Sequence, residues 1–484
     1  MLTAAVLVFA WSVSVGIPPR APRPVRAAQT NSYSTLGTVS YDGGSCGVDE
    51  PAGVVSAPGI KKILKISNTE IYVVGCFLNF AGVASADYVA KWDGSSWSGL
   101  GSSGDINKIV HDVAMFKGSL HIAGEFENAG GDITADMVAK WDGSAWVGLA
   151  VAGATGGSNG VGSPKDAIGT TDFAAALKVQ ENGAGTSDDV LLVGGRFLNG
   201  INNGTGGGFT LAYTRNIAAW NGTAWGSLDS DTNPYSSNTQ TENVIRDIEV
   251  INGDVYVAGY RNNACTTNNA NSNRAFSFMK FNGSTWTQPV SAMTCGYFGT
   301  GFGVYTMEVD GTNILLGGTF TGLSNVADHL ASYNTTSGTF SAYNSFSASF
   351  GTGAVVRAIT SGGSQTYVGG SFPGVLGTSG GVARWTGSSW QGIGRNSPAV
   401  VNALLADMSY SGSNSRVFVG SSNINIGGVA AADGLAALAI DAVSTLDSVT
   451  VNAGFLSPAF NPAVTTYSLS IPNASASVDF TVLA

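Results

Sequence analysis

The chain has 484 residues, a formal net charge of −10, 67 glycines and only 11% charged residues. So sparse and acidic a charge set excludes the basic face that phosphate contacts require, and nucleic acid is not an expected partner. Abundant glycine beside 44% hydrophobic residues suits a turn-rich, all-β protein, and the length leaves room for more than one domain.

The first element is an apolar stretch from Leu2 to Ile17, followed by Val25-Arg26-Ala27, which has the small-x-small form of a cleavage site. Residues 1–27 are therefore expected to be a signal peptide, with Arg20, Arg23 and Arg26 after the apolar segment instead of before it. Sixteen residues are short for a membrane span, so no stable span is expected after cleavage, and the mature protein is expected to be secreted or at the cell surface. Without this segment 19 basic residues face 32 acidic ones, a net charge of −13.

One pattern then recurs. Its clearest copies read Tyr88-Val-Ala-Lys-Trp92-Asp-Gly-Ser-Ser-Trp97-Ser-Gly-Leu100 and Met137-Val-Ala-Lys-Trp141-Asp-Gly-Ser-Ala-Trp146-Val-Gly-Leu149. With the first aromatic or its substitute as marker, the copies fall at 92, 141, 220, 281, 333, 385 and 438, in steps of 49, 79, 61, 52, 52 and 53 residues. Strand-rich periods near fifty indicate propeller blades.

Each unit carries four strand signals. The first is a β-branched run such as Ile106 to Phe116 or Val244 to Ile251. The second is almost wholly apolar and ends in glycine, as in Leu191-Leu-Val-Gly-Gly195 and Thr366-Tyr-Val-Gly-Gly370, which fits a strand covered on both faces by neighbouring blades. The third and fourth form a hairpin. Asp93-Gly94, Asp142-Gly143, Asn221-Gly222 and Asn282-Gly283 predict type I′ turns with both residues at positive φ, and place Trp92 opposite Trp97. The seventh unit lacks a Trp-bearing fourth strand, but Ser32-Tyr33-Ser34-Thr35-Leu36-Gly37 matches Ser96-Trp97-Ser98-Gly99-Leu100-Gly101. The fold expected over residues 28–441 is a seven-bladed β-propeller closed by an N-terminal strand beside Leu435 to Ile440.

The paired glycines and spaced aromatics resemble kelch-type propellers. The fuller string, Gly-Gly-x-Phe followed by Val-Ala-x-Trp-Asp-Gly-Ser-x-Trp, is more similar to repeats of secreted bacterial propellers and of the fungal cortical polarity-marker family. The resemblance covers about residues 33 to 441 and implies an extracellular interaction scaffold with no catalytic motif to carry over. Blades four and seven replace the second glycine by Tyr260 and Ser421, while Glu125 and Cys76 take that slot in blades two and one. After Ala442, the run Leu446 to Pro472, with Ser457-Pro458-Ala-Phe460-Asn-Pro462 and Tyr467, resembles the opening of a cadherin-like β-sandwich of bacterial surface proteins. A complete sandwich takes on the order of 100 residues, so residues 442–484 are expected to be a truncated module and the chain a piece of a longer protein.

Four cysteines form two local sets, Cys46 with Cys76 and Cys265 with Cys295, which predicts local disulfides in an oxidising compartment; buried free thiols are the alternative. Among three histidines, His111, His121 and His329, no spacing suggests a triad or zinc site, and no Tyr/Cys/His copper cluster of the galactose-oxidase kind can be assembled. Trp-Asp-Gly-Ser differs from a sialidase Asp-box, where Asp and Gly are not adjacent. Paired acids for glycoside chemistry exist at Asp188-Asp189 and at Glu125 with Glu127.

Glu125 and Glu127 lie on one side of a strand by alternation and could bind calcium, with Asn128 to Asp132 adding oxygen ligands; two acids at a solvated channel mouth are the alternative. No other cofactor is expected. Long insertions at 153–169, 199–215 and 262–273 are candidate binding loops, and the last two should emerge on one face. Asn203, Asn221, Asn282, Asn334 and Asn473 stand in glycosylation sequons. The expected function is that of an exported, non-catalytic interaction or adhesion module for a protein or glycan at the cell surface. A propeller enzyme acting on polysaccharide and a structural spacer are the alternatives.

Overall fold

The computed structural model describes residues 33–36, 59–149, 173–182, 188–197, 216–226, 228, 243–261, 278–287, 289, 303–320, 323, 327–344, 346–350, 353–362, 365–372, 381–393, 400–408, 415–422, 426, 429, 432–440, 448–451, 455–457, 468–470 and 480–483. Seven four-stranded antiparallel sheets form the blades of a β-propeller. The first strands, Gly59–Ser67, Val110–Phe116, Phe173–Gln180, Asn243–Ile251, Val304–Asp310, Val355–Gly362 and Val401–Asp407, touch their neighbours all the way round, including the seventh with the first. They line the central channel.

Closure follows the expected route. Tyr33–Ser34 is the outermost strand of blade seven, with Tyr33 opposite Leu438 and Ser34 opposite Ala437. The aromatic repeat also binds blade to blade. Indole Nε1 atoms of Trp146, Trp225 and Trp286 donate to the carbonyl oxygens of Leu100, Leu149 and Leu228 in the preceding blade, at 2.9, 2.9 and 2.8 Å. Trp97 does the same to Leu36, just after the closing strand. Each indole also packs across its hairpin, with ring centroids 5.4 Å apart for Trp92 and Trp97 and 5.3 Å for Trp141 and Trp146. The second tryptophan of each pair is buried, so the recurrent aromatics are core.

The hairpin turns differ from the expected type I′. Only the glycine takes positive φ, 99° at Gly94 and 104° at Gly143, and the two residues at the turn centre are Gly94 and Ser95. Glycine-first geometry is that of a type II′ turn. The reason is the Asp93 carboxylate, whose Oδ1 accepts the Ser95 and Ser96 amides at 2.8 and 2.7 Å and holds Asp93 outside the turn. Those amide bonds, Ser96 first, keep the Asp93 carboxyl well below the usual carboxylate range.

The glycines ending the second strands answer to two different neighbours. A Cβ on Gly195 would fall on the carbonyl oxygen of Phe173 in its own blade, whereas one on Gly194 would meet Ile245 of the next. The pattern recurs at Gly370 and Gly369, against Val355 and against Val401. Strand register places the repeat differently. The residues pairing with the strand position before each bulge are Gly75, Gly124, Gly195, Gly259, Gly318, Gly370 and Ser421. Cys76, Glu125 and Tyr260 come one residue later, so Glu125 does not replace a glycine.

In the C-terminal segment, Ser448–Val451 pairs with Phe480–Leu483 and Phe455–Ser457 with Ser468–Ser470, both antiparallel. Residues 1–27 lie outside the described residues. Among the described residues no helix is long and apolar enough to cross a membrane.

Candidate ligand site at the mouth of the central channel

Every first strand carries a bulge at the same place, and Gly59–Ser67 has a second between Lys65 and Ser67. The pairing skips Lys61, His111, Ala175, Arg246, Tyr305, Arg357 and Asn402, one per blade. In each case an apolar residue packs on either side, as Ile60 and Ile63 do around Lys61-Lys62, and Ile245 and Ile248 around Arg246-Asp247. Two residues between the apolar contacts, where alternation allows one, force the extra residue out of the ladder. Its side chain is thereby aimed at the channel. All seven line one cavity of about 140 Å³, with Lys62, Asp112, Asp247 and Thr306 among the other walls.

The bulges sit where the second strands end. The insertion at 199–215 leaves after Phe197 and returns at Asn216, which bond to one another at this face. The insertions themselves lie outside the described residues.

Aromatic rings brace the cations. The Arg357 guanidinium carbon lies 5.3 Å from the Tyr305 ring centre in the preceding blade. Phe173, fully buried, has Arg196 at 4.9 Å, Arg246 at 6.0 Å and the His111 ring at 5.4 Å. Among the described residues, the polar atoms buried at the mouth without a hydrogen bond in the protein include Nε2 of His111 and Nδ2 of Asn402. The first lies 3.4 Å from Oε1 of Glu125, out of hydrogen-bonding alignment.

Below the mouth the channel wall is acidic, and its acids fasten blades together. Asp112 Oδ2 accepts the Leu177 amide at 2.8 Å, Asp247 Oδ2 the Met307 amide at 2.6 Å, and Glu308 Oε1 the Ser361 amide at 3.0 Å, each from the next blade. Lys178 pairs with Glu249 and Lys65 with Asp407 across two further junctions. Lys62, 48% accessible along the channel, lies 3.8 Å from Asp112. Asp112, with Asp247, Glu249 and Glu308, holds the Lys62 ammonium well above its ordinary range. Burial pushes the Asp247 carboxyl up, and Glu308 up to about 7.

The residues singled out from sequence divide between two places. Glu125 is buried beside His111, whereas Glu127 is 38% exposed and bonds Lys108 Nζ at 2.9 Å. No group of three or more His, Cys, Asp and Glu side chains suited to a metal ion occurs among the described residues. Cys76 is buried and disulfide-bonded; Cys46, Cys265 and Cys295 lie outside the described residues. His121 packs on Phe116, its pKa lowered to about 4 by burial, and His329 holds a left-handed turn at φ 64°. Sequence reading missed Lys61, Arg246, Tyr305, Arg357 and Asn402. Their signal was the doubled spacing between apolar positions, Val356-Arg-Ala-Ile359 for one.

No protein-family model and no curated protein matches the chain. The chain is similar in structure to the extracellular domain of a one-component system from B. thetaiotaomicron, at 12% identity and a TM-score of 0.44, over 86% of this chain and 43% of that one. It is similar to an ancestral GH74 enzyme at 11% identity and a TM-score of 0.42, over 81% of this chain and 45% of the enzyme. The computationally designed Ika8 protein is similar at 11% identity and a TM-score of 0.38, over 80% and 97% of the two chains. This chain therefore spans less than half the length of the first two. The likeness is one of fold.

Proposed function

We propose that this chain is an exported, non-catalytic β-propeller acting as an extracellular or cell-surface interaction module, which takes its ligand at the bulge-bearing face. The observation that carries the reading is the convergence of one bulged side chain from every blade on a single cavity. Seven strands that touch round a closed ring give that cavity a rigid frame, and binding residues on rigid frames lose little entropy on complex formation.

Screening the purified chain against immobilised glycans and whole cells tests the reading. Saturable binding without turnover supports it. Hydrolysis of any glycan favours the enzymatic alternative, and absence of all binding favours a structural spacer.

A further inference from the structure

We propose that the channel mouth binds an oxyanion, a carboxylate or sulfate of the kind borne by acidic sugars or present as the free ion. The inference rests on the preceding reading that this face takes a ligand, and adds the chemical class. Lys61, Lys62, Arg246 and Arg357 reach one cavity from blades one, four and six, in a chain with only 22 Lys and Arg and a net charge of −10. Such a concentration of cations runs against the composition of the whole.

The acids in the same wall offset it in part, Asp112 lying 3.8 Å from Lys62. Both oxygens of Asp112 are taken by the amides of Val113 and Leu177, and both oxygens of Asp247 by those of Ile248 and Met307. These carboxylates serve the joints between blades. Among the residues lining the cavity, four carry cations and two carry carboxylates. Arginine is suited to this role, because its planar fork meets two oxygens of a carboxylate or sulfate at once. Nδ2 of Asn402 is a buried donor with no acceptor in the protein, and an anion at the mouth would supply one. The four cations of this lining disfavour calcium, which takes oxygen ligands.

Isothermal titration of the full chain at low ionic strength tests the site, with D-glucuronate, sodium sulfate and neutral D-glucose as probes. Glucuronate or sulfate is expected to bind saturably and more weakly as salt rises, with glucose silent. Arg246→Gln and Arg357→Gln, on separate blades, should each weaken anion binding at least tenfold with thermal midpoints close to wild type. Lys280→Gln, a cation paired with Asp254 away from the mouth, should leave it unchanged. Binding of glucuronate alone identifies a sugar acid; equal binding of both identifies an ion site. No saturable heat with either anion, equal binding of glucose, or unchanged affinity in both arginine variants overturns the proposal. If cells or glycans are still captured while these anions fail, the oxyanion site falls and the interaction module stands. If capture fails as well, both fall.

Discussion

Indole Nε1 of Trp97 donates to the carbonyl oxygen of Leu36 at 2.6 Å, across 61 residues of sequence. The same bond joins each of three further blades to its predecessor, so the leucine that ends one repeat is the acceptor for the tryptophan of the next. At Leu36 the bond secures the junction of blades one and seven.

Deleting residues 28–40 should therefore lower the thermal midpoint or cause aggregation, because blade seven loses its outer strand and exposes an edge. Trp97→Phe keeps the ring packing and leaves the Leu36 carbonyl without its donor, at a cost of about 1–3 kcal/mol. Calorimetry measures both. A deletion variant melting at the wild-type temperature would remove the closing strand from the stability of the ring.

Gly195→Ala and Gly253→Ala separate close packing from backbone preference. Alanine at 195 collides with Phe173 and with Ala174 Cα at 2.8 Å, on backbone that cannot retreat. A loss above about 2 kcal/mol is expected. Gly253 has φ +84° and open space around it, so only the left-handed strain of about 1–2 kcal/mol applies. Equal shifts of the urea midpoint in the two variants would contradict the bulge contact.

Glu308 sets a pH dependence. Burial raises its pKa from 4.5 to about 7, so between those values the folded chain binds the proton more tightly than the unfolded chain. The contribution is fully present below about 4.5 and is lost as pH rises through about 7. Glu308→Gln retains an oxygen for the Ser361 amide and removes the titration. Relative to wild type the variant should gain on the order of 1–3 kcal/mol between pH 4.5 and pH 8. Denaturant midpoints measured across that range would reveal a constant difference if Glu308 ionises normally.

Cys76 offers a fourth test. Peptide mapping of the non-reduced protein should link it to Cys46, and reduction should cost about 3–4 kcal/mol for a loop of about 30 residues. A Cys76 peptide joined to Cys265 or Cys295 would refute the local pairing.

The blades were legible because four signals recur at fixed offsets: the β-branched run, the glycine after the second strand, the Asp/Asn-Gly turn and the paired aromatics. Tyr33 and Leu36 were recognisable as the missing fourth strand for the same reason. The channel mouth was harder to see. Lys61, Arg246 and Arg357 share no residue type with Ala175 or Tyr305, and only register shows them to be equivalent. Glu125 falls one residue past the glycine slot, and a glycine pair taken as one unit hides this, because Gly194 and Gly195 face different blades. The turn was misjudged because Asp93 acts through its carboxylate and not through positive φ.

The closing strand also orders events in time. Ser34 and Ala437 are bonded across 403 residues, so at ribosomal speed roughly 20–80 s separate the emergence of the two partners. Blades one to six have all their strands contiguous in sequence and can assemble as they appear, but Tyr33 and Ser34 have no partner until the seventh blade exists. The chain thus carries its own delay. Its ring cannot lock until the last blade has been delivered.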